Sequence, residues 1–343
     1  MTLTVKKLDD QLMDSWDDYV RRSETATFFH LSSWKTVLER AFGHRTHFLY
    51  AQENGDIVGI LPLAEIKSVL FGHSLASLPF CVYGGVVADN DEVANALRKT
   101  ASDLSDTLKV GALELRNREA SEAGWPVKDL YFTFRKAIDP SDEVNLKAIP
   151  NRQRAMVRKG IKEGLASEWT QSTDRFFRIY SESVKNLGTP VFSRKYLRTL
   201  KDKFKADCSV LMITHEGRDV AGVMNFYFRD EVIPYYGGSI AEARHIKGVN
   251  HFMYWELMRL SAAQGYRLFD FGRSKAGTGP YSFKKNFGFE PSPLPYEYYL
   301  ATSDAVPDVN PLNPKYQTMI KIWGKLPLPV ANFFGPFLAR SLG

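Results

Sequence analysis

Cations and glycines cluster in one stretch of the sequence, from Gly272 to Gly288. The residues before it, Arg267 to Phe271, are mostly apolar and aromatic and predict a β-strand that Gly272 ends. Glycine lets a backbone approach a ligand closely, and fixed cations stabilise phosphate or a developing oxyanion. The stretch is therefore either the active region or, since basic loops are common, a surface turn with solvated lysines. Its cations are Arg273, Lys275, Lys284 and Lys285.

Length and composition narrow the class of protein. A chain of 343 residues with 44% hydrophobic content predicts two domains. Cys81 and Cys208 lie far apart with no CxxC motif, so we expect buried free thiols and no metal site. The N-terminal segment turns acidic where a secretory signal would be apolar, and no run is long enough to span a bilayer. These features predict a cytoplasmic protein.

The net charge of +6 is unevenly distributed along the chain. Between Lys147 and Lys205 there are 15 Lys and Arg residues against 5 Asp and Glu residues. Such an excess of positive charge is typical of a surface that binds a polyanion. The middle of the chain is therefore predicted to contact a polyanionic partner.

Sequence features recur in the same order in the two halves of the chain. Each half has an amphipathic helix, a hairpin, a Tyr-Gly-Gly triplet, a second helix and two further strands. The hairpin turns fall at Asn54-Gly55 and Glu216-Gly217. The matched segments are 28–43 with 190–204, 53–59 with 215–222, 83–85 with 236–238, 91–108 with 250–264, 112–116 with 268–272 and 131–137 with 296–301.

This order of elements fits the GNAT acyltransferase fold. We therefore expect an α/β (α+β) protein with two tandem GNAT-like domains, each a mixed central sheet flanked by helices. The first domain, predicted to bind substrate or to be structural, spans residues 1–140, and the second, predicted to be active, spans 165–304. A basic linker helix occupies 141–164, and a basic, proline-broken tail occupies 305–343.

Four segments spread over nearly the whole chain carry a resemblance to a known family: FFHLSSW (28–34), RQRAMVRKG (152–160), FDFGRS (269–274) and YSFKKNFGF (281–289). The chain resembles the FemAB-like family, tandem GNAT proteins related to the aminoacyl-tRNA-dependent transferases that build peptidoglycan cross-bridges. Segments 186–192, 252–259 and 323–343 are similar to the subgroup that accompanies exosortase and PEP-CTERM exopolysaccharide systems. The resemblance implies transfer of an acyl or aminoacyl group to an amine on an envelope precursor.

The resemblance also implies roles for residues of the cationic loop. Phe283 and Lys284 fall on the family's Phe-Lys pair near the reaction centre, so Lys284 is the candidate to stabilise the oxyanion of acyl transfer; a solvated lysine is the alternative. Asp270 is a candidate base for the acceptor amine. However, Glu114 takes the matching place in the first half, which favours a structural carboxylate. The predicted substrate loop contains Arg273, Ser274 and Lys275.

The acyl donor is expected to be a co-substrate, either aminoacyl-tRNA or acyl-CoA, with no tightly bound cofactor. GNAT enzymes hold the pyrophosphate of CoA with Arg/Gln-x-x-Gly-x-Gly/Ala at a helix N-terminus, where free N–H groups meet phosphate. The matching segment here, HIKGVN (245–250), keeps Lys247, Gly248 and Asn250 as a weakened anion site. CoA is therefore the less favoured donor.

Further residues are predicted to bind substrate. The arginines among them would bind the diphosphate of a lipid- or nucleotide-linked precursor, or tRNA, unless they form a solvated surface. No RNA-stacking motif accompanies them. The tyrosines would form a wall against a sugar or peptide, although buried strand tyrosines are commoner. The residues are Arg152, Arg154, Arg158, Arg194, Tyr235, Tyr236 and Trp34.

The C-terminal tail combines cations with apolar residues. It contains no acid after Asp308, and the apolar segment 326–339 is interrupted by three prolines. Such a segment would either lie in an anionic membrane surface, bringing the enzyme to a lipid-linked substrate at the inner face, or pack over a groove of the body.

Three functions stay open on the sequence. The first is an acyl- or aminoacyltransferase acting on an exopolysaccharide or peptidoglycan precursor. The second is a conventional CoA-dependent N-acetyltransferase, and the third is a non-catalytic adaptor that binds carbohydrate or nucleic acid. The intact cations of the loop favour an enzyme.

Overall fold

The computed structural model describes residues 3–68, 72–121, 123–307 and 314–342. The strands are β1 Thr4–Lys7, β2 Arg45–Glu53, β3 Asp56–Ser68, β4 Gly72–Ser77, β5 Val87–Ala88, β6 Ala112–Arg116, β7 Val127–Ala137, β8 Ala166–Thr170, β9 Cys208–His215, β10 Arg218–Phe228, β11 Glu231–Ser239, β12 Leu268–Asp270, β13 Ser274–Lys275 and β14 Pro291–Leu300. The α-helices are α1 Met13–Arg22, α2 Ser33–Val37, α3 Asp91–Leu108, α4 Asp142–Lys147, α5 Asn151–Lys162, α6 Thr173–Asn186, α7 Arg194–Phe204, α8 Val249–Ala263, α9 Gly279–Asn286, α10 Pro314–Lys325 and α11 Leu328–Ala339.

The chain forms two compact units, and the predicted α/β class is confirmed. The first unit contains Met1–Tyr131, Pro293–Asp308 and Arg340–Gly343, and the second contains Phe132–Ser292 and Val309–Ala339. The strand order is β1-β2-β3-β4-β6-β14 in the first unit and β7-β12-β11-β10-β9-β8 in the second. Each sheet is mixed, because β4 and β6 are parallel, as are β11 and β12, while the hairpin pairs are antiparallel.

The last strand of each repeat belongs to the unit of the other repeat. Tyr298 of β14 pairs with Glu114 of β6 in the first unit, and Arg135 of β7 pairs with Asp270 of β12 in the second. The predicted bounds 1–140 and 165–304 therefore describe the two repeats of the sequence. In the compact units, β7 of the first repeat belongs to the second unit and β14 of the second repeat belongs to the first. Nothing in the local sequence of a strand specifies which distant strand it pairs with.

Both predicted hairpins are present. The first turn joins β2 to β3 with φ of 52° at Asn54 and 95° at Gly55, and the second joins β9 to β10 with φ of 49° at Glu216 and 75° at Gly217. Two positive φ angles in a two-residue loop match the twist of the flanking strands. Glycine adopts a positive φ readily, so a residue pair that ends in glycine between two predicted strands indicates such a turn. The residues at each turn therefore specify one antiparallel strand pair in each sheet.

A separate apolar core lies in each unit. In the first unit α3 packs Val93, Leu97 and Ala101 against the sheet. In the second unit α8 is buried on most of its sides, with Phe252, Met253 and Leu257 in the core. The predicted linker region forms two helices, α4 and α5, separated by Pro150, and the tail forms α10 and α11. Residues 308–313 and 343 of the predicted tail lie outside the described residues.

Candidate active site

The loop after β12 is shaped by a buried carboxylate. Asp270 is wholly buried, and its Oδ1 accepts a hydrogen bond from Gly272 N at 2.7 Å and another from Thr133 Oγ1 at 3.4 Å. The Nε of Arg135 lies 3.3 Å from Asp270 Oδ2. Gly272 has φ of 62°, a conformation that favours glycine, so the carboxylate and the glycine together turn the chain back. This geometry supports the structural alternative for Asp270.

Lys284 also holds this loop, as a cation that donates hydrogen bonds to its backbone carbonyls. It lies on α9, which begins after the N-cap Thr278. Its Nζ donates hydrogen bonds to Phe271 O at 2.6 Å, Gly272 O at 3.0 Å and Arg273 O at 3.1 Å. An ammonium group has three protons, so all of them are donated to backbone carbonyls. In this conformation Lys284 is neither the solvated lysine of the alternative nor a free donor for an oxyanion.

Burial sets the protonation of Lys284. Removal from water lowers the pKa of Lys284 to about 7, the nearby Asp270 carboxylate opposes this shift, and Arg273 adds to it. The rings of Phe134 and Phe271 lie 5.4 and 5.5 Å from the Nζ, where their negative faces favour a cation. The three carbonyl oxygens favour the ammonium form as well. Lys284 is therefore a positioning residue for the loop, poised to change charge near neutral pH.

Phe283 lies in an aromatic group beside the loop. Its ring centroid is 5.1 Å from that of His251, 5.6 Å from that of Tyr254 and 5.6 Å from that of Phe287. His251 is tied to α5, because its Nε2 lies 2.8 Å from Gln153 Oε1, and burial lowers its pKa. Phe283 therefore contributes to the packing that fixes α9 and α8 around the loop.

Tyr254 is a candidate functional residue that the sequence interpretation did not assign. Its ring packs on Phe271 with centroids 4.6 Å apart, and a side-chain carbon at Gly237 would lie 3.1 Å from its hydroxyl oxygen. Within the described residues this hydroxyl has no hydrogen-bond partner. Burial raises the pKa of Tyr254 to about 12, so the hydroxyl keeps its proton at physiological pH. The segment 252–259 signalled a family resemblance but not this position.

The Tyr254 hydroxyl lies beside the place where two parallel strands separate. β11 and β12 are paired only at Glu231 with Leu268 and at Val232 with Phe269. β11 continues to Ser239, while the chain after Asp270 enters the loop held by Lys284. The edge of β11 that faces β12 is therefore open from Ile233 onward in the described sheet. An open strand edge offers backbone donors and acceptors to an extended ligand.

Ser274 and the cations of the predicted substrate loop have different surroundings. Ser274 is 7% exposed, and its Oγ has no hydrogen-bond partner among the described residues. Lys275 and Arg273 are half-buried. The carbonyl of Lys275 accepts a hydrogen bond from Thr278 Oγ1 at 2.7 Å, which closes the loop before α9. Asp270 and Arg273 of this loop also lie close enough to Lys284 of α9 to affect its pKa.

The predicted anion site at the start of α8 is packed against another helix. A side-chain carbon at Gly248 would lie 2.2 Å from Met156 O and 2.9 Å from Gly160 N, both on α5. Gly248 has φ of 82°, and no side chain caps the helix. The glycine is therefore explained by close contact between α5 and α8, whereas Lys247 and Asn250 beside it are exposed.

The predicted substrate-binding arginines differ in how far they are neutralised. Arg152 and Arg158 are exposed on α5, and neither forms an ion pair within the described part of the chain. Arg154 donates hydrogen bonds to Ile149 O at 3.2 Å and to Asn151 Oδ1 at 2.7 Å. Arg194 pairs with Asp174 at 2.9 Å. Arg152 and Arg158 are thus the most accessible of these charges.

The predicted aromatic contacts with substrate are largely buried. Trp34 is wholly buried, and its Nε1 donates to Phe28 O at 3.3 Å, so it offers no surface to a substrate in this structure. Tyr236 is 8% exposed, and its hydroxyl lies 2.8 Å from the Tyr196 hydroxyl. Tyr235 is half-buried. Trp34 and Tyr236 are core residues because aromatic side chains gain more by burial than by exposure.

The described residues contain no cluster of three or more His, Cys, Asp or Glu side chains that could hold a metal ion. Cys81 and Cys208 are buried free thiols. Among the described helices, none combines the length and the apolar character that crossing a bilayer requires.

Residues 151–285 match the family described as Acetyltransferase (GNAT) domain. The matched segment runs from α5 through most of α9 and includes β11, β12, Tyr254 and Lys284. The chain is therefore an acyltransferase, and the open strand edge and the loop of the second unit lie inside the matched segment. No curated protein matches the sequence.

Solved structures share the fold over most of the chain. FemX is 16% identical, with a TM-score of 0.68 over 92% of this chain and 100% of that chain. L-PGS from Bacillus licheniformis is 14% identical, with a TM-score of 0.56 over 93% and 96% of the two chains. A tandem GNAT protein from the clavulanic acid biosynthesis pathway is 14% identical, with a TM-score of 0.56 over 89% and 100%. The fold is thus that of tandem GNAT proteins.

Proposed function

We propose that this acyltransferase transfers an acyl or aminoacyl group to an amine on a cell-envelope glycan or lipid-linked precursor. The observation that carries the proposal is the open edge of β11, which adjoins the free hydroxyl of Tyr254 and the loop held by Lys284. An extended acyl group can pair with this edge, which aligns its carbonyl for attack. The exopolysaccharide or peptidoglycan nature of the acceptor follows from the FemAB-like resemblance, including its exosortase-associated subgroup.

Tyr254 takes the role of oxyanion donor in this proposal. The acceptor amine attacks the acyl carbonyl, and the negative charge that develops on the carbonyl oxygen accepts a hydrogen bond from the Tyr254 hydroxyl. The carbon–oxygen or carbon–sulfur bond to the donor then breaks, and the proton that the amine nitrogen loses passes to the departing oxygen or sulfur. Lys284 and Asp270 act indirectly, because both are engaged in holding residues 271–273.

Aminoacyl-tRNA is the donor that we favour, in the cytoplasm where it is available. Gly248 serves the contact between α5 and α8, so the residue that would mark a CoA pyrophosphate site already has a structural explanation. The exposed cations Arg152 and Arg158 on α5 suit a polyanionic donor.

A transfer assay with two donors tests the proposal. Purified chain is incubated with an envelope extract and with either labelled aminoacyl-tRNA or labelled acetyl-CoA, and label in the extract is measured. We expect transfer from aminoacyl-tRNA and, for Tyr254→Phe, a rate lower by about 100-fold. Tyr180→Phe, which changes a buried tyrosine of α6, is the matched control and should leave the rate unchanged. Absence of label with either donor, or full activity of Tyr254→Phe, contradicts the proposal.

A CoA-dependent N-acetyltransferase is the second candidate function. It is favoured by one observation, the match of residues 151–285 to an acetyltransferase family. Calorimetry with acetyl-CoA distinguishes the two candidates, since micromolar binding together with acetyl transfer would support this function. Binding that disappears in Lys247→Glu would identify the start of α8 as the pyrophosphate site.

A further inference from the structure

The last described helix, α11, is apolar on the side that faces away from the protein. Its outward residues recur at helical spacing as Val330, Phe333, Phe334 and Phe337, a set we call the phenylalanine face. These side chains are 38%, 65%, 52% and 64% exposed, respectively. The ring of Phe333 also contacts those of Phe334 and Phe337, with centroids 5.0 and 6.1 Å away. The helix thus presents a continuous apolar stripe to the outside.

The opposite side of α11 attaches the helix to the second unit through small residues. Ala331 and Ala339 are 1% and 2% exposed. A side-chain carbon at Gly335 would lie 2.9 Å from Val191 Cγ1. Asn332 Nδ2 donates to Ser181 Oγ of α6 at 3.5 Å. Because close contact requires alanine and glycine here, rotating the helix to bury its phenylalanines would place large side chains where there is no room.

This arrangement reverses the usual distribution of side chains. Burial of a phenylalanine stabilises a structure relative to leaving it exposed, yet α11 leaves three of them outward. α10 adds two further exposed apolar residues, Met319 at 51% and Ile322 at 59%. Neighbouring exposed apolar residues on one helix face, as on α11, mark an interaction site, whereas scattered single residues do not.

Charge identifies the occupant of the surface. Lys321 and Lys325 of α10 are exposed, and the sequence has no Asp or Glu after Asp308. A second copy of the chain would bring two positively charged surfaces together, which costs free energy. An anionic bilayer supplies both acyl chains for the phenylalanines and phosphate groups for the lysines.

We propose that α10 and α11 form a docking surface for an anionic lipid bilayer, with the phenylalanine face entering the interface. α11 is 12 residues long and contains Pro336, so it is about 18 Å in length and too short to cross the hydrocarbon core of about 30 Å. It therefore lies in the plane of the interface. The inference is independent of the proposed function, because lipid binding requires no transfer reaction.

Vesicle flotation with the full-length protein tests the docking surface. The probes are vesicles of phosphatidylcholine alone and of phosphatidylcholine mixed with phosphatidylglycerol. We expect binding to the anionic vesicles, and a loss of about 100-fold in the double variant Phe333→Ser, Phe337→Ser. Lys321→Glu with Lys325→Glu should remove the preference for phosphatidylglycerol. The matched control, Val127→Ser with Val144→Ser, changes similarly exposed apolar residues elsewhere and should bind as the unaltered chain does.

Two results would overturn the docking surface. One is equal flotation of the unaltered chain and the Phe333→Ser, Phe337→Ser variant. The other is a dimer in sedimentation that dissociates in this variant without any vesicle binding, since the occupant would then be a second copy. Thermal unfolding of each variant, expected to match that of the unaltered chain because the substituted side chains are exposed, separates these results from misfolding.

Discussion

Glu114 of the first unit and Asp270 of the second occupy matching places in the two repeats, but they have different partners. Glu114 accepts hydrogen bonds from Arg116 Nε at 2.5 Å and from the Tyr298 hydroxyl at 2.6 Å. Asp270 accepts one from the backbone of Gly272 at 2.7 Å. Both carboxylates contact a side chain of the adjacent strand, but Asp270 in addition accepts a backbone hydrogen bond that shapes the loop after β12. Asp270 thereby adjoins the candidate active site of the second unit.

The helices that follow the Tyr-Gly-Gly triplets, α3 and α8, also differ, in the charge and capping of their N-termini. α3 is capped by Asn90, whose side chain accepts from Val93 N at 3.0 Å, and its first turn contains Asp91 and Glu92. α8 begins at Gly248 without a side-chain cap and has no acid in its first turn. Negative charge at a helix N-terminus repels anions, so the second unit alone keeps a start compatible with an anionic substrate.

A buried cation donates to backbone carbonyls in each unit, Arg116 in the first and Lys284 in the second, and removal of Lys284 is expected to have the largest effect. Lys284→Met leaves the carbonyls of residues 271–273 without their shared donor, so the loop should lose its conformation. We expect transfer to slow by on the order of 100- to 1000-fold in single-turnover assays. Lys285→Met, which changes the exposed neighbour, is the control and should retain full activity. Full activity of Lys284→Met would contradict the positioning role of Lys284.

Gly248→Ala sharpens the comparison of the helix starts. The new methyl group would meet Met156 O, and the alanine backbone would have to keep a positive φ. We therefore expect the free energy of unfolding to fall by about 3 kcal/mol. Gly265→Ala is the control, because Gly265 has φ of 100° but open space around it, and should cost about 1 kcal/mol. Denaturant unfolding measures both values. Equal losses would mean that contact with α5 does not explain Gly248.

Paired carboxylate variants test the comparison directly. Asp270→Asn removes the charge opposite Arg135 in a wholly buried site, and the free energy of unfolding should fall by about 2–3 kcal/mol. Glu114→Gln, at a side chain that is 22% exposed, should cost about 1 kcal/mol. Denaturant titration gives both numbers. If Glu114→Gln lowered the free energy of unfolding more than Asp270→Asn, the carboxylate of the first unit would contribute more to stability than that of the second.

The pH dependence of Lys284 gives the smallest but most specific effect. Its pKa is lowered to about 7 in the folded protein from 10.5 in the unfolded chain. The unfolded state therefore binds more protons between these values, and the free energy of unfolding should rise with pH from about 7 upward. Transfer should fall over the same range, because the neutral amine donates fewer hydrogen bonds to the loop. Lys284→Met should lose the stability slope, and a slope retained in this variant would assign it to another group.

Local signals made part of this structure predictable. The hairpin turns at Asn54-Gly55 and Glu216-Gly217 require positive φ, and the helix predicted at 91–108 has those bounds, with Asn90 as its cap. The stretch of cations and glycines after β12 was predicted to be a loop throughout, whereas its second half forms α9. The burial of Trp34, a residue predicted to bind substrate, was not predictable, because exposure of an aromatic residue depends on neighbours that are distant in the sequence.

The sequence by itself determined the repeat of elements, the cluster of cations after β12 and the absence of acid in the tail. These features depend on residue types within a few positions, where turn, cap and charge preferences act. Only the tertiary structure decided which unit receives β7 and β14, that Lys284 donates to three carbonyls, that Tyr254 has a free hydroxyl, and that α11 turns its phenylalanines outward. Each of these depends on packing between segments far apart in the chain, where side-chain volume and strand pairing determine what is buried.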